Sequence, residues 1–141
     1  MEERNERVPQ WMRGFLLLAS IYNVAWGIFI YNFPTSYFRW LTKSSLEAPA
    51  LISYQGLGTL IFGAIYLSAA LYPLKLWFLI PLGIISKIAG AIGAYFIIMD
   101  QMITRTFLFQ VIMNDLVWVI PFIIIYYEVM MVRRKRNISE I

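Results

Sequence analysis

Polar residues are confined to short intervals along the chain, and between them run four stretches that are apolar on every side. The pattern places these stretches at 14–33, 50–72, 76–98 and 107–132. None shows the roughly ten-residue alternating segments of a membrane barrel. At a helical rise of 1.5 Å per residue, about 20 residues cross a hydrocarbon core of about 30 Å. The spacing therefore predicts an all-α polytopic integral membrane protein, a four-transmembrane-helix up-down bundle forming a single membrane domain over 1–141.

Prolines punctuate this pattern. Pro34 closes the first span, Pro49 opens the second and Pro73 closes it, because proline lacks the N–H that continues a helix. Pro81 and Pro121 fall inside spans three and four and are expected to kink them, freeing the carbonyls of Trp77 and Val117. The loop over 34–49 carries Tyr37, Phe38, Trp40 and Leu41 together with Arg39 and Lys43. That mixture suits a short segment at the outer interface, either as an anchor or as a lid over an outward-facing cavity.

Composition narrows the class. Of 141 residues, 60% are hydrophobic and 14% charged, and the mean hydropathy is +0.67. A soluble domain of this length cannot hide so much apolar surface. A soluble enzyme domain, a disordered chain and a nucleic-acid module are all excluded, and no nucleic-acid partner is expected; the bilayer is the first partner. The net charge of +4 includes a single basic run, Arg133, Arg134, Lys135 and Arg136, suited to anionic headgroups. There is no cysteine and no histidine, which removes disulfides, thiolate chemistry and the usual ligands of zinc and haem. No cofactor is expected. Nothing resembles a nucleophile–base arrangement or a phosphate loop, which weighs against an enzyme.

Charge placement sets an orientation. Arg4, Arg7, Arg13, Lys75 and the four residues of the basic run fall on one side, against Arg39, Lys43 and Arg105 on the other. The positive-inside rule then puts both termini in the cytoplasm, with the protein in the cell inner membrane. The N-terminal stretch, rich in glutamate and without a small-residue cleavage site, predicts no cleaved signal peptide.

The informative residues are polar ones at membrane depth. Lys87 is at the centre of the third span, where a lysine costs about 2.5–3.5 kcal/mol to insert. It should face the bundle and find a partner. Its helical neighbours include Gly83, Gly90, Ala91 and Ala94, and Ser86, Gly90 and Ala94 form a small-residue stripe beside it. Asp115, the one carboxylate well inside a span, is the expected counter-charge, preceded by Asn114. Asn23 and Gln55 supply amides in spans one and two. Asn23, Gln55, Lys87, Asn114 and Asp115 are therefore expected to converge on one polar centre. It either fixes helix register or lines a site for a small polar group, open to the outside beneath the aromatic loop. Glu128, near the inner headgroups, is expected to join an interfacial ion pair.

From Arg13 to Val132 the layout resembles the DoxX-like group of small four-helix bacterial membrane proteins. The resemblance rests on Asn23, Gly27 and Pro34 in the first helix and Gly56-Leu57-Gly58, Phe62-Gly63 and Tyr66-Leu67 in the second. Ser86-Lys87-Ile88-Ala89-Gly90 in the third, and Asn114-Asp115, Trp118 and Pro121-Phe122 in the fourth, complete it. It implies a four-helix bundle, and for some members an accessory role or a link to quinone-coupled redox systems; it carries over no catalytic residues. The expected function is binding or accessory, toward a partner membrane protein or a small lipid-like or polar ligand. The alternative is a subunit of a small oligomeric transporter or channel. Glycine faces at Gly56/Thr59/Gly63 and Gly90/Ala94 would serve self-association in a homo-oligomer, or be used up within one copy.

Overall fold

A computed structural model of the chain describes residues 7–139, except for the side chain of Ser139. Arg4, part of the charge count above, lies outside the described residues. These residues fold as helices joined by short turns, without a strand, and four of the helices are long and apolar enough to span a membrane. Helix α1 (Gln10–Asn32) runs to a short α2 (Pro34–Thr42), then α3 (Ala50–Leu71) and α4 (Leu79–Ile98) follow. The fourth crossing is one continuous helix built from α5 (Arg105–Val111), a π-helical turn (Ile112–Leu116) and α6 (Val117–Ser139). Spans alternate in direction, so both ends of the chain lie at one end of the bundle, the terminal end. The 34–49 segment marks the loop end. The surface is studded with exposed large apolar side chains, among them Leu18, Ile28, Ile61, Ile85 and Ile123, as a lipid-facing surface requires.

Pro81 behaves differently from the sequence expectation, while Pro121 lies inside α6 as expected. Residues 73–78 are turns rather than helix, so Pro81 stands in the first turn of α4, where a missing N–H costs nothing. The Trp77 carbonyl is not freed, since it accepts the Ile80 N–H at 3.2 Å. In the fourth span the irregularity is the π turn that precedes Pro121. There the Val117 N–H donates to the Ile112 carbonyl, five residues back.

Glycine decides how the spans pack. A Cβ at Gly56 would lie 2.6 Å from the Tyr31 backbone nitrogen, and one at Gly27 2.8 Å from the Leu60 nitrogen. A Cβ at Gly63 would lie 2.7 Å from Val24. α1 and α3 thus touch backbone to backbone, the small-residue mode of membrane association, and the Ser20 hydroxyl donates to the Gly63 carbonyl at 2.8 Å. Gly56 and Gly63 are consumed within one copy, as is Gly90, whose Cβ position is 3.0 Å from Asp115 Oδ1.

The interior has two apolar clusters. Leu16, Tyr66, Phe122, Ile125 and Val129 fill the terminal end. At the loop end, Ile30, Ile52, Ala94, Ile98 and Phe107 pack against Tyr37, Phe38 and Leu41 of α2. The aromatic segment is therefore a plug seated in the bundle rather than a strip lying beside it. The Thr104 hydroxyl ties it down by donating to the Leu41 carbonyl.

Candidate functional site

Between the two apolar clusters lies a layer of buried polar residues: Ser20, Asn23, Lys87, Gln110, Asn114 and Asp115. Lys87, 2% exposed, reaches across from the middle of α4. Its Nζ donates to Asn23 Oδ1 at 3.0 Å and to the Asn114 carbonyl oxygen at 2.7 Å. Asp115 Oδ1 lies 3.9 Å from Nζ and accepts the Asn114 side-chain N–H at 3.1 Å. The rings of Tyr66 and Trp118 flank the ammonium at 5.7 and 6.0 Å, a range that supports cation–π attraction. The small residues beside Lys87 allow this approach, since Gly90 leaves room for the carboxylate.

A π turn carries both Asn114 and Asp115. Consecutive residues of an α-helix point about 100° apart, yet Asn114 and Asp115 are both buried. The π turn breaks the regular carbonyl ladder, and Lys87 takes the Asn114 carbonyl. π turns of this kind recur at functional sites. The Trp118 indole N–H donates to the Met113 carbonyl at 2.9 Å, bracing the same turn.

Four of the five expected residues, Asn23, Lys87, Asn114 and Asp115, form this connected centre. Gln55 does not join its hydrogen bonds. It stands half-buried on the wall of a cavity of about 390 Å³ that reaches the centre. Gly58, Thr59 and Phe62 continue that wall on α3, and Leu82, Ile85 and Ser86 form the opposite wall on α4. Asn23, Lys87, Asn114 and Asp115 are at the back. Ile85 is 63% and Leu82 40% exposed on the lipid-facing surface. The cavity accordingly opens sideways between α3 and α4, toward the acyl chains. An opening to the outside beneath the aromatic loop is not what the geometry gives, because the α2 plug closes that end.

Other residues were not anticipated. Gln110 is buried in the same layer, and its Nε2 has no hydrogen-bond partner. Gln110 and Gln55 both interact with the hydroxyl of Tyr37, whose phenol is pushed above the ordinary tyrosine range by burial in the plug. Tyr66 and Ser86 share a hydrogen bond of 2.9 Å on the cavity wall. A buried tyrosine four residues beyond an apolar aromatic reads as core from sequence, so nothing local marked it. Glu128 forms no ion pair among the described residues; Lys87–Asp115 is the one such pair there. The guanidinium of Arg133 lies instead over the Trp77 ring at 4.7 Å. Among the described residues no cluster of metal-binding side chains occurs.

Fold and site together define a class: a four-span helical membrane protein with a charge pair buried at mid-depth and a cleft leading to it from the bilayer. No family model, no curated protein and no solved structure matches the chain.

Proposed function

We propose that this is a binding protein of the cell inner membrane whose polar centre takes the polar group of a lipid-like molecule arriving from the bilayer. The observation that carries the reading is the lateral cleft, whose apolar rim and polar back match an amphiphile lying in the membrane. Its volume is within the range of about 300–1,000 Å³ usual for ligand sites. The same seam suits a partner membrane protein that receives or supplies the molecule, which is the accessory role. Cytoplasmic termini follow from the excess of Lys and Arg at the terminal end. Membership of the DoxX-like group belongs to this proposal and rests on Asn23, Gly27, Lys87, Gly90, Asn114 and Asp115. A transporter or channel would need a path through the bundle, and apolar clusters cap the polar layer at both ends of a single copy.

The test uses Gly58, where an added Cβ meets nothing within 4 Å. Gly58→Leu places bulk in the cleft without disturbing a helix contact. Wild type and variant are purified in mild detergent and their retained lipids quantified by mass spectrometry. The wild type should hold one species near equimolar ratio, reduced about fivefold or more in Gly58→Leu. Equal lipid content in both sinks the reading.

A further inference from the structure

The hydrogen-bond sense of the cleft narrows its guest, on the premise that the cleft is the binding site proposed above. Every hydroxyl proton fixed on its walls is spent on a neighbour. Thr59 donates to the Gln55 carbonyl at 2.9 Å and Ser86 to the Gly83 carbonyl at 2.7 Å. Tyr66 shares its hydroxyl with Ser86. At the back, two donors of Lys87 go to Asn23 and to the Asn114 carbonyl. Two acceptors are left open, beside the third N–H of Lys87 and the Asn23 side-chain N–H, which make no hydrogen bond among the described residues. Asn114 is 8% exposed, and its Oδ1 has no hydrogen-bond partner. That amide cannot be reversed to relieve it, because the Nδ2 end must face Asp115 Oδ1. The second oxygen of Asp115 likewise receives no hydrogen bond among the described residues. An unmet acceptor at this depth carries a desolvation cost of about 1–3 kcal/mol that a suitable donor would relieve.

Charge sets the second condition. Lys87 and Asp115 are opposite charges 3.9 Å apart, and no other charged side chain lines the cleft. The site is neutral before anything binds. An anionic or cationic head would leave one charge uncompensated in hydrocarbon, which is strongly unfavourable.

We infer that the cleft selects an uncharged amphiphile whose head carries a hydrogen-bond donor, of the long-chain alcohol type. Its hydroxyl is directed to the second oxygen of Asp115, and its tail leaves between Phe62 on α3 and Leu82 and Ile85 on α4 into the bilayer. A head bearing acceptors alone can meet the Asn23 and Gln55 amides and the third N–H of Lys87, but it leaves the second oxygen of Asp115 unmet.

The test is equilibrium binding of tritiated 1-hexadecanol to the full chain in detergent, with unlabelled competitors. These are hexadecyl methyl ether, which lacks the donor, and 1-hexadecanesulfonate and hexadecyltrimethylammonium, which carry fixed charges. The alcohol should bind and the other three should compete about tenfold or more weakly, the loss expected for one hydrogen bond to a charged group. In Gly58→Leu all binding should vanish. Competition by the ether equal to that of the alcohol overturns the donor requirement. If Gly58→Leu still abolishes binding of both, the site itself stands. Competition by either charged analogue at the level of the alcohol overturns the neutrality requirement. Alcohol binding that survives in Gly58→Leu, or no binding in the wild type, overturns the inference; the lipid retained by the wild type then decides whether the cleft takes something else.

Discussion

Removing one charge from the buried pair should cost far more than removing both. Lys87→Met leaves the Asp115 carboxylate without a counter-charge and withdraws the donor from Asn23 Oδ1 and the Asn114 carbonyl. Stranding one member of a buried pair typically costs about 3–5 kcal/mol. Asp115→Leu strands Lys87 in turn. Leucine copies the branched outline of aspartate, so Gly90 can still pack against it. In the double variant Lys87→Met/Asp115→Leu no charge remains, and the residual cost is that of unmet neutral acceptors, about 1–3 kcal/mol. The double variant should therefore be more stable than either single one, with a coupling energy above about 2 kcal/mol. Ordinary side-chain hydrogen bonds in membrane bundles average about 0.6 kcal/mol by the same kind of cycle, so the two outcomes separate. The assay is reversible unfolding in mixed micelles, followed by tryptophan fluorescence, for the wild type, both single variants and the double variant. Additive costs, with coupling under about 0.5 kcal/mol, would refute the account of Lys87 and Asp115 as one electrostatic unit. A double variant that folds and still retains the wild-type lipid would separately remove the charge pair from the binding site.

Three further outcomes follow from named contacts. Gly56→Ala should destabilise the protein by about 1–3 kcal/mol, because its Cβ meets the Tyr31 backbone. Gly58→Ala, with open space around it, should be neutral or stabilising by up to about 1 kcal/mol; thermal unfolding in detergent compares the two. Thr104→Val should lose both the cap on the Phe107 N–H, 3.0 Å long, and the tie to Leu41. Faster hydrogen exchange over 34–42 is the expected readout, together with a stability loss of about 1–2 kcal/mol. The chain has no cysteine, so single-cysteine variants report topology directly. In intact cells a membrane-impermeant maleimide should label Ser45→Cys at once and Lys75→Cys only after permeabilisation, and the reverse pattern would invert the orientation.

The four crossings were legible because insertion depends on summed hydrophobicity, which a sequence displays without reference to tertiary structure. Lys87 and Asp115 were legible for the same reason: a charge at the centre of a span has few ways to be satisfied. The π turn was not. Its one trace is the adjacency of two polar residues, Asn114 and Asp115, and adjacency alone does not require it, since the regular helices bury neighbours such as Ala19 and Ser20 too. Pro81 was misleading because its effect depends on where α4 begins, and the turns over 73–78 delay that start by three residues beyond the hydropathy edge. The direction of the cleft was equally hidden. It depends on α1 and α3 closing tightly while α3 and α4 do not, and Gly56, Gly58 and Gly63 look alike in sequence although their surroundings differ completely.

That contrast makes the two walls of the cleft unequal. One face of α3 is locked to α1 through Gly56 and Gly63, while the adjacent face forms a wall of the cleft. α3 cannot swing away without dragging its partner with it. The other wall, α4, is fastened at its midpoint by the bonds of Lys87 to Asn23 and Asn114, beside it by Ser86 to Tyr66, and towards its two ends by Ile80 and Ile98 in the two apolar clusters. α4 is thus held by side chains where α3 is held to α1 backbone against backbone.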